Sequence, residues 1–474
     1  MKQKFKYLIL VLIILPCCFL FGGCSTVIYV KNIQKTQDLG SSSVYTIYYS
    51  NGSTGTITVE DGQDGKDIDV MDLFQAGVSL GIYTNDTNGF KQFLSDLNVQ
   101  NPNTSANVGF YKATHSAVII HANGGAGSTG SAGSGVIYKM DSNYTYIVTN
   151  YHVTHKSMLS TNVYQNIAIY LYGSNIIETN YVQMGGDAIM CTYLGGSAEY
   201  DLAVLRAPTS AVKSINEYAQ PVEICSSYEE SEEVFAIGNP EGDGFSVTNG
   251  IVSKHSCRLS MDINGDDETD FDYRVLQTNT DINGGNSGGG LFNKNGQLVG
   301  IVNAKQVWDS EDFDANPIEG IGFALPFDNV TKVVENILYN YERLAQSTTV
   351  QKVLLGIKSY AANVRTITNP TTLRQECVSD TVIASKTQFT ISEESIAHKI
   401  GLTYGDKLTA IKIQKAGEQT VAEYQLTKYY QLDELLLTLH AGDSFQINYV
   451  RQGNAVEQSS GTHTVQVEDF VSIR

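Results

Sequence analysis

The stretch Asn283-Gly284-Gly285-Asn286-Ser287-Gly288-Gly289-Gly290-Leu291 places one serine among five glycines. Consecutive glycines permit positive φ angles, and such a backbone can point successive N–H groups into one concavity. We therefore expect the N–H groups of Gly285 and Ser287 to be candidate donors to an oxyanion, beside the Ser287 hydroxyl. Taken alone, the stretch could also be a plain glycine turn. A phosphate-binding loop is excluded because the stretch lacks the Gly-Lys-Ser/Thr signature.

Two upstream segments supply the other groups that a serine nucleophile needs. The serine requires a base that takes its proton and a carboxylate that orients this base. His152 follows the strand-like run Thr145–Thr149 on a loop, and Asp201 directly precedes the apolar run Leu202–Leu205. A lone histidine is more often structural, and a lone aspartate could equally be a turn residue. In the order His152, Asp201 and Ser287, however, the three form a candidate catalytic triad.

The pattern between residues 105 and 330 is typical of an all-β barrel domain. Short strand-like runs alternate there with glycine-rich loops. A helix is predicted from Asn329 to about Ala345, because apolar residues recur on one face. A second short helix is predicted at Asp433–His440.

Three motifs carry a resemblance to a known family. Thr149–Val153 reads T-N-Y-H-V, Asp201–Leu205 reads D-L-A-V-L, and Gly285–Gly289 reads G-N-S-G-G. Together they resemble the HtrA/Deg family of trypsin-like serine proteases. Further matches are Gly133–Val136, Ala236–Pro240, Thr248–Ser253, Gln277–Asn279 and Gly320–Pro326. The resemblance extends over about residues 115–326.

The resemblance implies a mainly β protein with a trypsin-like double β-barrel protease domain over residues 105–346. Ser287 would be the nucleophile, His152 the general base and acid, and Asp201 the carboxylate that orients His152. The N–H groups of Gly285 and Ser287 would form the oxyanion hole. An acyl-enzyme mechanism of this kind needs no cofactor and no metal.

The implied function is that of an extracytoplasmic serine endopeptidase, which degrades or processes misfolded envelope and secreted proteins. The alternative is a peptide-binding, chaperone-like protein with weak or regulated proteolysis. Because the family often assembles through its protease domains, the resemblance also implies a homotrimer.

The serine loop departs from the family pattern. Gly284 stands where proline or arginine is frequent in the family, and Gly290 where proline or alanine is frequent. Because extra glycines loosen a loop, we expect an oxyanion hole that is complete only when substrate or another segment orders it. Asp281 lies six residues before Ser287, where trypsin-like proteases place the floor of the primary specificity pocket. An acid there favours a basic substrate side chain, whereas the family prefers small aliphatic ones, and both interpretations stay open.

The C-terminal part, residues 347–474, resembles a PDZ domain, which is an α+β fold. The loop Leu354-Leu355-Gly356-Ile357 stands where such domains bind a peptide carboxylate through backbone N–H groups. Ile396–Leu408 resembles the family's A-x-x-x-G-L-x-x-G-D stretch. The resemblance implies polypeptide substrates that add a strand to a sheet edge and place their C-termini at this loop. The alternative is a generic β-rich domain that binds no peptide.

The N-terminus predicts export and membrane attachment. Residues 1–23 combine three early lysines with an uncharged apolar run, which indicates a signal peptide. Cys24 follows Gly22-Gly23 as in a bacterial lipoprotein cleavage site, so we expect lipidation of Cys24. The protein would then be extracytoplasmic and anchored to the cell membrane by lipid. The alternative is a single N-terminal transmembrane anchor.

Residues 24–104 are interpreted as the anchor, a spacer and a small N-terminal module. Asn51-Gly52 lies between two strand-like runs and predicts a hairpin. Helical spacing over 70–80 and over 90–97 predicts two helices.

Charge and cysteines exclude further classes. With 31 Lys+Arg against 50 Asp+Glu, the net charge is −19, which disfavours nucleic acid as a partner. Acidic side chains concentrate in the stretches 60–69 and 262–272, where a solvated turn is favoured over a calcium site. The cysteines outside the N-terminal segment contain no C-x-x-C pair, so zinc is not expected. Isolated buried thiols are favoured over a disulfide for Cys191, Cys225, Cys257 and Cys377.

Overall fold

The computed structural model describes residues 30–38, 42–49, 54–60, 78, 104–125, 130–176, 184–240, 244–264, 266, 268–305, 320–344, 347–369 and 375–473. The chain divides into two compact units, Met1–Ser105 and Ala106–Arg474. The predicted signal peptide, Cys24 and nearly all of the two helices predicted over 70–80 and 90–97 lie outside the described residues. Within the described part, no helix is both long enough and apolar enough to span a membrane.

The first unit contains a three-stranded antiparallel sheet with the order β1-β2-β3. Its strands are β1 (Val30–Asp38), β2 (Ser42–Tyr49) and β3 (Thr54–Glu60). Tyr48 of β2 faces Thr54 of β3 across the turn, so the predicted hairpin is confirmed. The sequence pattern did not predict β1.

The second unit begins with a seven-stranded antiparallel sheet. Its strands are β4 (Ala117–Asn123), β5 (Gly130–Met140), β6 (Tyr144–Thr149), β7 (Asn166–Leu171), β8 (Ile189–Met190), β9 (Thr192–Ser197) and β10 (Leu202–Pro208). Hydrogen bonding gives the order β8-β7-β4-β5-β6-β10-β9. Three helices accompany it: α1 (Thr104–Thr114), α2 (Tyr151–Thr154) and α3 (Thr209–Ile215). Branched side chains of alternate strand positions, such as Ile120, Ile137 and Ile169, fill a core that excludes water.

A second seven-stranded sheet follows. Its strands are β11 (Glu223–Ile224), β12 (Glu233–Gly238), β13 (Ser246–Met261), β14 (Phe271–Thr278), β15 (Gly290–Asn293), β16 (Gln297–Lys305) and β17 (Gly322–Pro326). The order is β11-β16-β15-β12-β13-β14-β17, and β16 also pairs with β17. This last pairing closes six strands into a barrel, which leaves those strands without a free edge. The two seven-stranded sheets, one of them closed into a barrel, agree with the expected mainly β, trypsin-like architecture.

Helix α4 (Phe327–Arg343) covers the junction of the two sheets. Val330, Val333, Val334 and Ile337 are fully buried, and their spacing places them on one helical face. They share a core cluster with Val136 of β5 and with residues of the closed barrel. The predicted helix is therefore confirmed, beginning and ending two residues earlier than expected.

The C-terminal part has a hydrophobic core of its own. Its elements are β18 (Val350–Val353), β19 (Ser359–Thr368), β20 (Gln375–Ile383), α5 (Ile396–Lys399), β21 (Lys407–Gln414), β22 (Val421–Gln425), α6 (Gln431–Leu436), β23 (Ser444–Val450), β24 (Glu457–Ser459), β25 (His463–Thr464), a 3-10 turn (Val467–Asp469) and β26 (Phe470–Ile473). The main sheet has the order β19-β20-β21-β23-β24, so β19 is an edge strand. Helix α6 starts two residues before the predicted Asp433 and ends at Leu436 rather than His440.

Candidate active site

His152 lies in a single helical turn rather than on the loop that the sequence suggested. Strand β6 ends at Thr149, and α2 places His152 one residue after its start. The neighbouring side chain of Asn150 is buried, and its Nδ2 donates to the Asp201 backbone oxygen at 2.8 Å. The histidine is thus fixed relative to the turn that carries Asp201.

The Asp201 carboxylate is hydrogen-bonded directly to the imidazole of His152. His152 Nδ1 lies 2.8 Å from Asp201 Oδ2, and the His152 N–H donates to Oδ1 at 3.1 Å. Because a carboxylate oxygen accepts hydrogen bonds, Nδ1 carries the proton in this bond and Nε2 is left as the basic nitrogen. Only 2% of Asp201 is exposed. Its φ of 44° is a left-handed value that is uncommon for a residue with a side chain.

Asn303 is a site residue that the sequence analysis missed. It lies on β16, and its Nδ2 donates to Asp201 Oδ2 at 2.6 Å. The Asp201 carboxylate thus accepts from a side-chain amide as well as from His152, which holds its plane in place. The available signal was an asparagine that directly follows the apolar run Leu298–Val302 of a buried strand.

The environment of His152 shifts its pKa in two opposing directions. Burial lowers the pKa, since a charged imidazolium loses its hydration. The negative charge of Asp201 and its hydrogen bond raise the pKa, and together they outweigh burial, so the net shift is upward from 6.5. The imidazole is therefore a stronger base than in water, as proton abstraction from a hydroxyl requires.

Ser287 lies in the loop that joins β14 to β15 of the closed barrel. Its Oγ donates to the backbone oxygen of Asn303 at 3.2 Å. The structure thus places Ser287 next to the residue that binds Asp201, so the three predicted side chains converge on one site. Each comes from a different segment: a helical turn, a strand-preceding turn and a glycine loop.

The turn before Ser287 is well defined. The Asn286 N–H donates to the Asn283 oxygen at 3.1 Å, and Gly285 has φ 94°. A positive φ at the third position identifies a type II turn, which glycine adopts without strain. Within the described residues, the N–H groups of Gly285 and Ser287 donate to no protein acceptor. These two N–H groups are thus available to an oxyanion, and the loop is more constrained than its glycine content suggested.

Glycine is required at Gly288 and not at Gly284. Gly288 has φ 84°, and a Cβ there would lie 2.2 Å from the Ser134 oxygen and 2.3 Å from Thr149 Oγ1. Gly284 has no atom within 4 Å of the position a Cβ would take. The departure from the family pattern at Gly284 therefore leaves room for a side chain.

Other predicted positions are placed as follows. Asp281 is exposed, whereas its neighbour Ile282 is buried in the barrel core. In the acidic stretch 262–272, Asp270 Oδ2 accepts the N–H groups of Ile263 and Asn264 and so closes the turn. Among the described residues, no group of three or more His, Cys, Asp or Glu side chains could hold a metal ion.

The four cysteines of the described part are free thiols. The expectation that they are buried is correct only in part: Cys225 is buried, but Cys377 is exposed and Cys191 and Cys257 are half-buried. Cys377 lies on β20 in its hairpin with β19, at a position beyond the two residues of β20 that pair with β21, which accounts for the exposed thiol.

The loop Leu354-Leu355-Gly356-Ile357 joins β18 to β19. Leu355 is buried, and its oxygen accepts the Ala397 N–H at 3.0 Å. Leu354 is half exposed at 51%. Gly356 has φ 75°, and a Cβ there would lie 2.6 Å from the Ser395 Cβ. In the described residues, the N–H groups of Leu355, Gly356 and Ile357 make no backbone hydrogen bond.

Comparisons with known proteins agree with this site. Residues 133–301, which include His152, Asp201 and Ser287, match the model of the trypsin-like peptidase domain. The chain is 26% identical over 392 residues to the serine protease Do-like HtrA of Lactococcus lactis subsp. cremoris. This match covers 80% of this chain and 83% of that protein. It is also 34% identical over 209 residues to the serine protease Do-like HtrB of Bacillus subtilis. That match covers 44% of this chain and 38% of that protein.

Among solved structures, the serine endoprotease from Yersinia pestis is 22% identical, with a TM-score of 0.45, and the match covers 79% of this chain and 100% of that chain. The peptidase-domain match and the HtrA relatives cover the segments that build the site. The chain therefore carries the trypsin-like peptidase domain of a serine endopeptidase and is similar to serine proteases of the HtrA type.

Proposed function

We propose that the protein is an extracytoplasmic endopeptidase that degrades or processes misfolded envelope and secreted proteins. Ser287 attacks the scissile carbonyl while His152 Nε2 takes its proton, and Asp201 stabilises the imidazolium that forms. The N–H groups of Gly285 and Ser287 stabilise the oxyanion of the tetrahedral intermediate. His152 then protonates the leaving amine, and water releases the acyl group from Ser287.

The observation that carries this proposal is the pair of bonds between His152 and Asp201. The 2.8 Å bond to Nδ1 orients the ring and leaves Nε2 to act as the base, and the 3.1 Å bond from the His152 backbone N–H holds the carboxylate beside it. Asp201 is itself buried and held by Asn303, so the carboxylate that orients His152 has a fixed position.

The test uses a fluorophosphonate probe and an unfolded protein substrate. Wild type is expected to be labelled and to cleave the substrate, whereas Ser287→Ala does neither. Ser116→Ala, which changes another buried serine away from the site, serves as the matched control and should be labelled like wild type. Labelling or cleavage that persists in Ser287→Ala contradicts the proposed mechanism.

The exposure of Asp281 bears on specificity. A carboxylate that forms the floor of a specificity pocket is enclosed, and Asp281 is not. We therefore favour substrates with small aliphatic side chains before the scissile bond. Mapping cleavage sites in an unfolded protein by mass spectrometry tests this, and a majority of cuts after lysine or arginine would contradict it.

We further propose that residues 347–474 act as a PDZ-like domain that holds substrate C-termini. Two observations support this: the edge position of β19 and the unengaged N–H groups of Leu355, Gly356 and Ile357. A peptide would pair with β19 and place its carboxylate at the loop. A labelled peptide with a free C-terminus should bind more tightly than the same peptide with an amidated C-terminus. Equal binding of the two peptides would contradict carboxylate recognition.

Attachment to the membrane through lipidated Cys24 is part of the same proposal. Cys24→Ser should release the protein from the membrane fraction of the bacterium that expresses it. Retention of the variant in that fraction would instead support the alternative of an N-terminal transmembrane anchor. A homotrimer is the assembly we expect, and light scattering of the purified protein tests it.

A second candidate function is a peptide-binding, chaperone-like protein with weak or regulated proteolysis. The observation that favours it is the hydrogen bond from Ser287 Oγ to the Asn303 oxygen, because the hydroxyl must leave this acceptor to transfer its proton to His152. Under this alternative, added peptide raises the hydrolysis rate of a small reporter substrate. Full basal activity without a lag would exclude it.

A further inference from the structure

Ser134 contacts the serine loop from the opposite sheet. It lies on β5, whereas Ser287 belongs to the closed barrel, and only 1% of Ser134 is exposed. Its N–H donates to the Ser287 oxygen at 2.8 Å, and its hydroxyl donates to the Gly285 oxygen at 2.8 Å. Ser134 thus binds the carbonyl groups at both ends of the segment Gly285–Ser287.

The proton of the Ser134 hydroxyl has a defined direction. The Asn239 N–H donates to Ser134 Oγ at 3.0 Å. Because this bond occupies one lone pair, the hydroxyl hydrogen is left to point at the Gly285 oxygen. Asn239 follows β12, and a Cβ on the last residue of that strand, Gly238, would lie 2.4 Å from Asn286 Oδ1. The end of β12 therefore packs directly against the loop that Ser134 holds.

The segment between the two bound carbonyls carries the groups that the reaction needs. The Ser287 N–H and the Ser287 hydroxyl both lie between the Gly285 and Ser287 carbonyls, and the Gly285 N–H directly precedes them. On the N-terminal side, Gly284 has no atom within 4 Å of the position a Cβ would take, which gives this end of the segment freedom to shift. Oxyanion stabilisation depends on donors held within a few tenths of an ångström of their working positions.

We propose that Ser134 is a positioning residue of the oxyanion hole, which sets the separation and direction of the Gly285 and Ser287 N–H groups. It touches no reacting atom and acts through the two carbonyls. This inference rests on the proposed function, since it assigns Ser134 a role in the same serine-protease mechanism. It also explains how a loop with five glycines keeps one conformation.

The experiment compares Ser134→Ala with Ser116→Ala in the full chain. Ser116 is equally buried, and its hydroxyl also donates to a backbone oxygen, that of Ala113 at 2.8 Å, but not to the serine loop. In Ser134→Ala, kcat for a peptide substrate should fall about tenfold or more while KM changes little, as expected when one buried hydrogen bond is lost only from transition-state positioning. Ser116→Ala should keep the wild-type kcat.

A second readout separates positioning from a loss of stability. A peptidyl boronic acid forms a tetrahedral adduct that uses the oxyanion hole, so its inhibition constant should rise with Ser134→Ala by the same factor as kcat falls. The affinity of a product-like peptide should not change. If Ser134→Ala fails to fold, Ser134→Cys keeps the shape with a weaker donor and should show an intermediate kcat.

Wild-type kcat in Ser134→Ala or Ser134→Cys, or an equal loss in Ser116→Ala, would overturn the inference while leaving the triad intact. Activity that survives Ser287→Ala would instead overturn the proposed function itself. The two failures are therefore distinguishable in one set of variants.

Discussion

Arg274 of β14 and Glu434 of α6 form a buried ion pair, with Arg274 Nε 2.5 Å from Glu434 Oε1. Their side chains are 6% and 7% exposed. Arg274 Nη2 also binds Asp328 of α4 at 2.7 Å, and Lys332 binds Glu434 at 2.8 Å. The pair joins the closed barrel to the C-terminal part.

Glu434→Ala should lower the free energy of unfolding by about 3 kcal/mol, because removal of one partner leaves buried cations with less compensation. Urea denaturation of the full chain measures this. Glu423→Ala is the control, since Glu423 is exposed and its carboxylate lies 3.9 Å from Lys412 Nζ and 3.4 Å from Gln425 Nε2. Its effect should stay below about 1 kcal/mol. An equal loss of unfolding free energy in the two variants would show that the buried ion pair stabilises the protein no more than a surface carboxylate does.

The pH dependence of kcat/KM should report the raised pKa of His152. The imidazole must be neutral to accept a proton, so activity is lost as pH falls through its pKa. Because that pKa lies above 6.5, the acid limb should also lie above pH 6.5. In Asp201→Asn the upward influences disappear and burial remains, so the limb should move to lower pH. The rate should fall by about four orders of magnitude, as in other triads that lose this carboxylate.

The pH profiles of wild type and Asp201→Asn are measured between about pH 5 and 9 with the same peptide substrate. The acid limb of wild type should lie above pH 6.5, and that of Asp201→Asn should lie at lower pH than the wild-type limb. An acid limb that stays in place in Asp201→Asn would mean that Asp201 does not control the pKa of His152.

Asn303→Ala should reduce kcat/KM about tenfold, since the Asp201 carboxylate loses one charge-assisted hydrogen bond. Asn303→Asp should be worse, because a second carboxylate would then face Asp201. Asn340→Ala provides the control: Asn340 is also buried, but among the described residues its side chain donates only to Asn336 on α4. Similar kinetic losses in Asn303→Ala and Asn340→Ala would argue against a specific role for Asn303.

Gly288→Ala should abolish activity and lower the melting temperature, because its Cβ would overlap the Ser134 oxygen and alanine disfavours φ 84°. Gly284→Ala should retain activity, since its Cβ would meet no atom within 4 Å. The two variants make the same chemical change four residues apart in one loop. Thermal unfolding and steady-state hydrolysis distinguish them, and an inactive, destabilised Gly284→Ala would contradict the open space observed there.

Much of the barrel could be predicted because strands leave a local signal. Apolar runs such as Leu202–Leu205 and glycine turns recur along the chain, and α4 shows helical spacing. Asn303 was missed because an asparagine in a buried strand resembles any other polar interruption. A barrel was expected, but the pair of strands that closes it, β16 with β17, was not predicted, since these strands are separated by the stretch 306–321.

The sequence by itself determined the class of chemistry: His152, Asp201 and Ser287 in that order, with glycines around the serine, specify an acyl-transfer site. Only the tertiary structure decided how these groups are held. Asn303 binds Asp201 across 102 positions, Ser134 binds Gly285 across 151, and Arg274 binds Glu434 across 160. Local periodicity carries no information about such partners. They are brought together by packing of the two sheets and the C-terminal part. This packing buries polar groups, and buried polar groups are stable only when they form hydrogen bonds with one another.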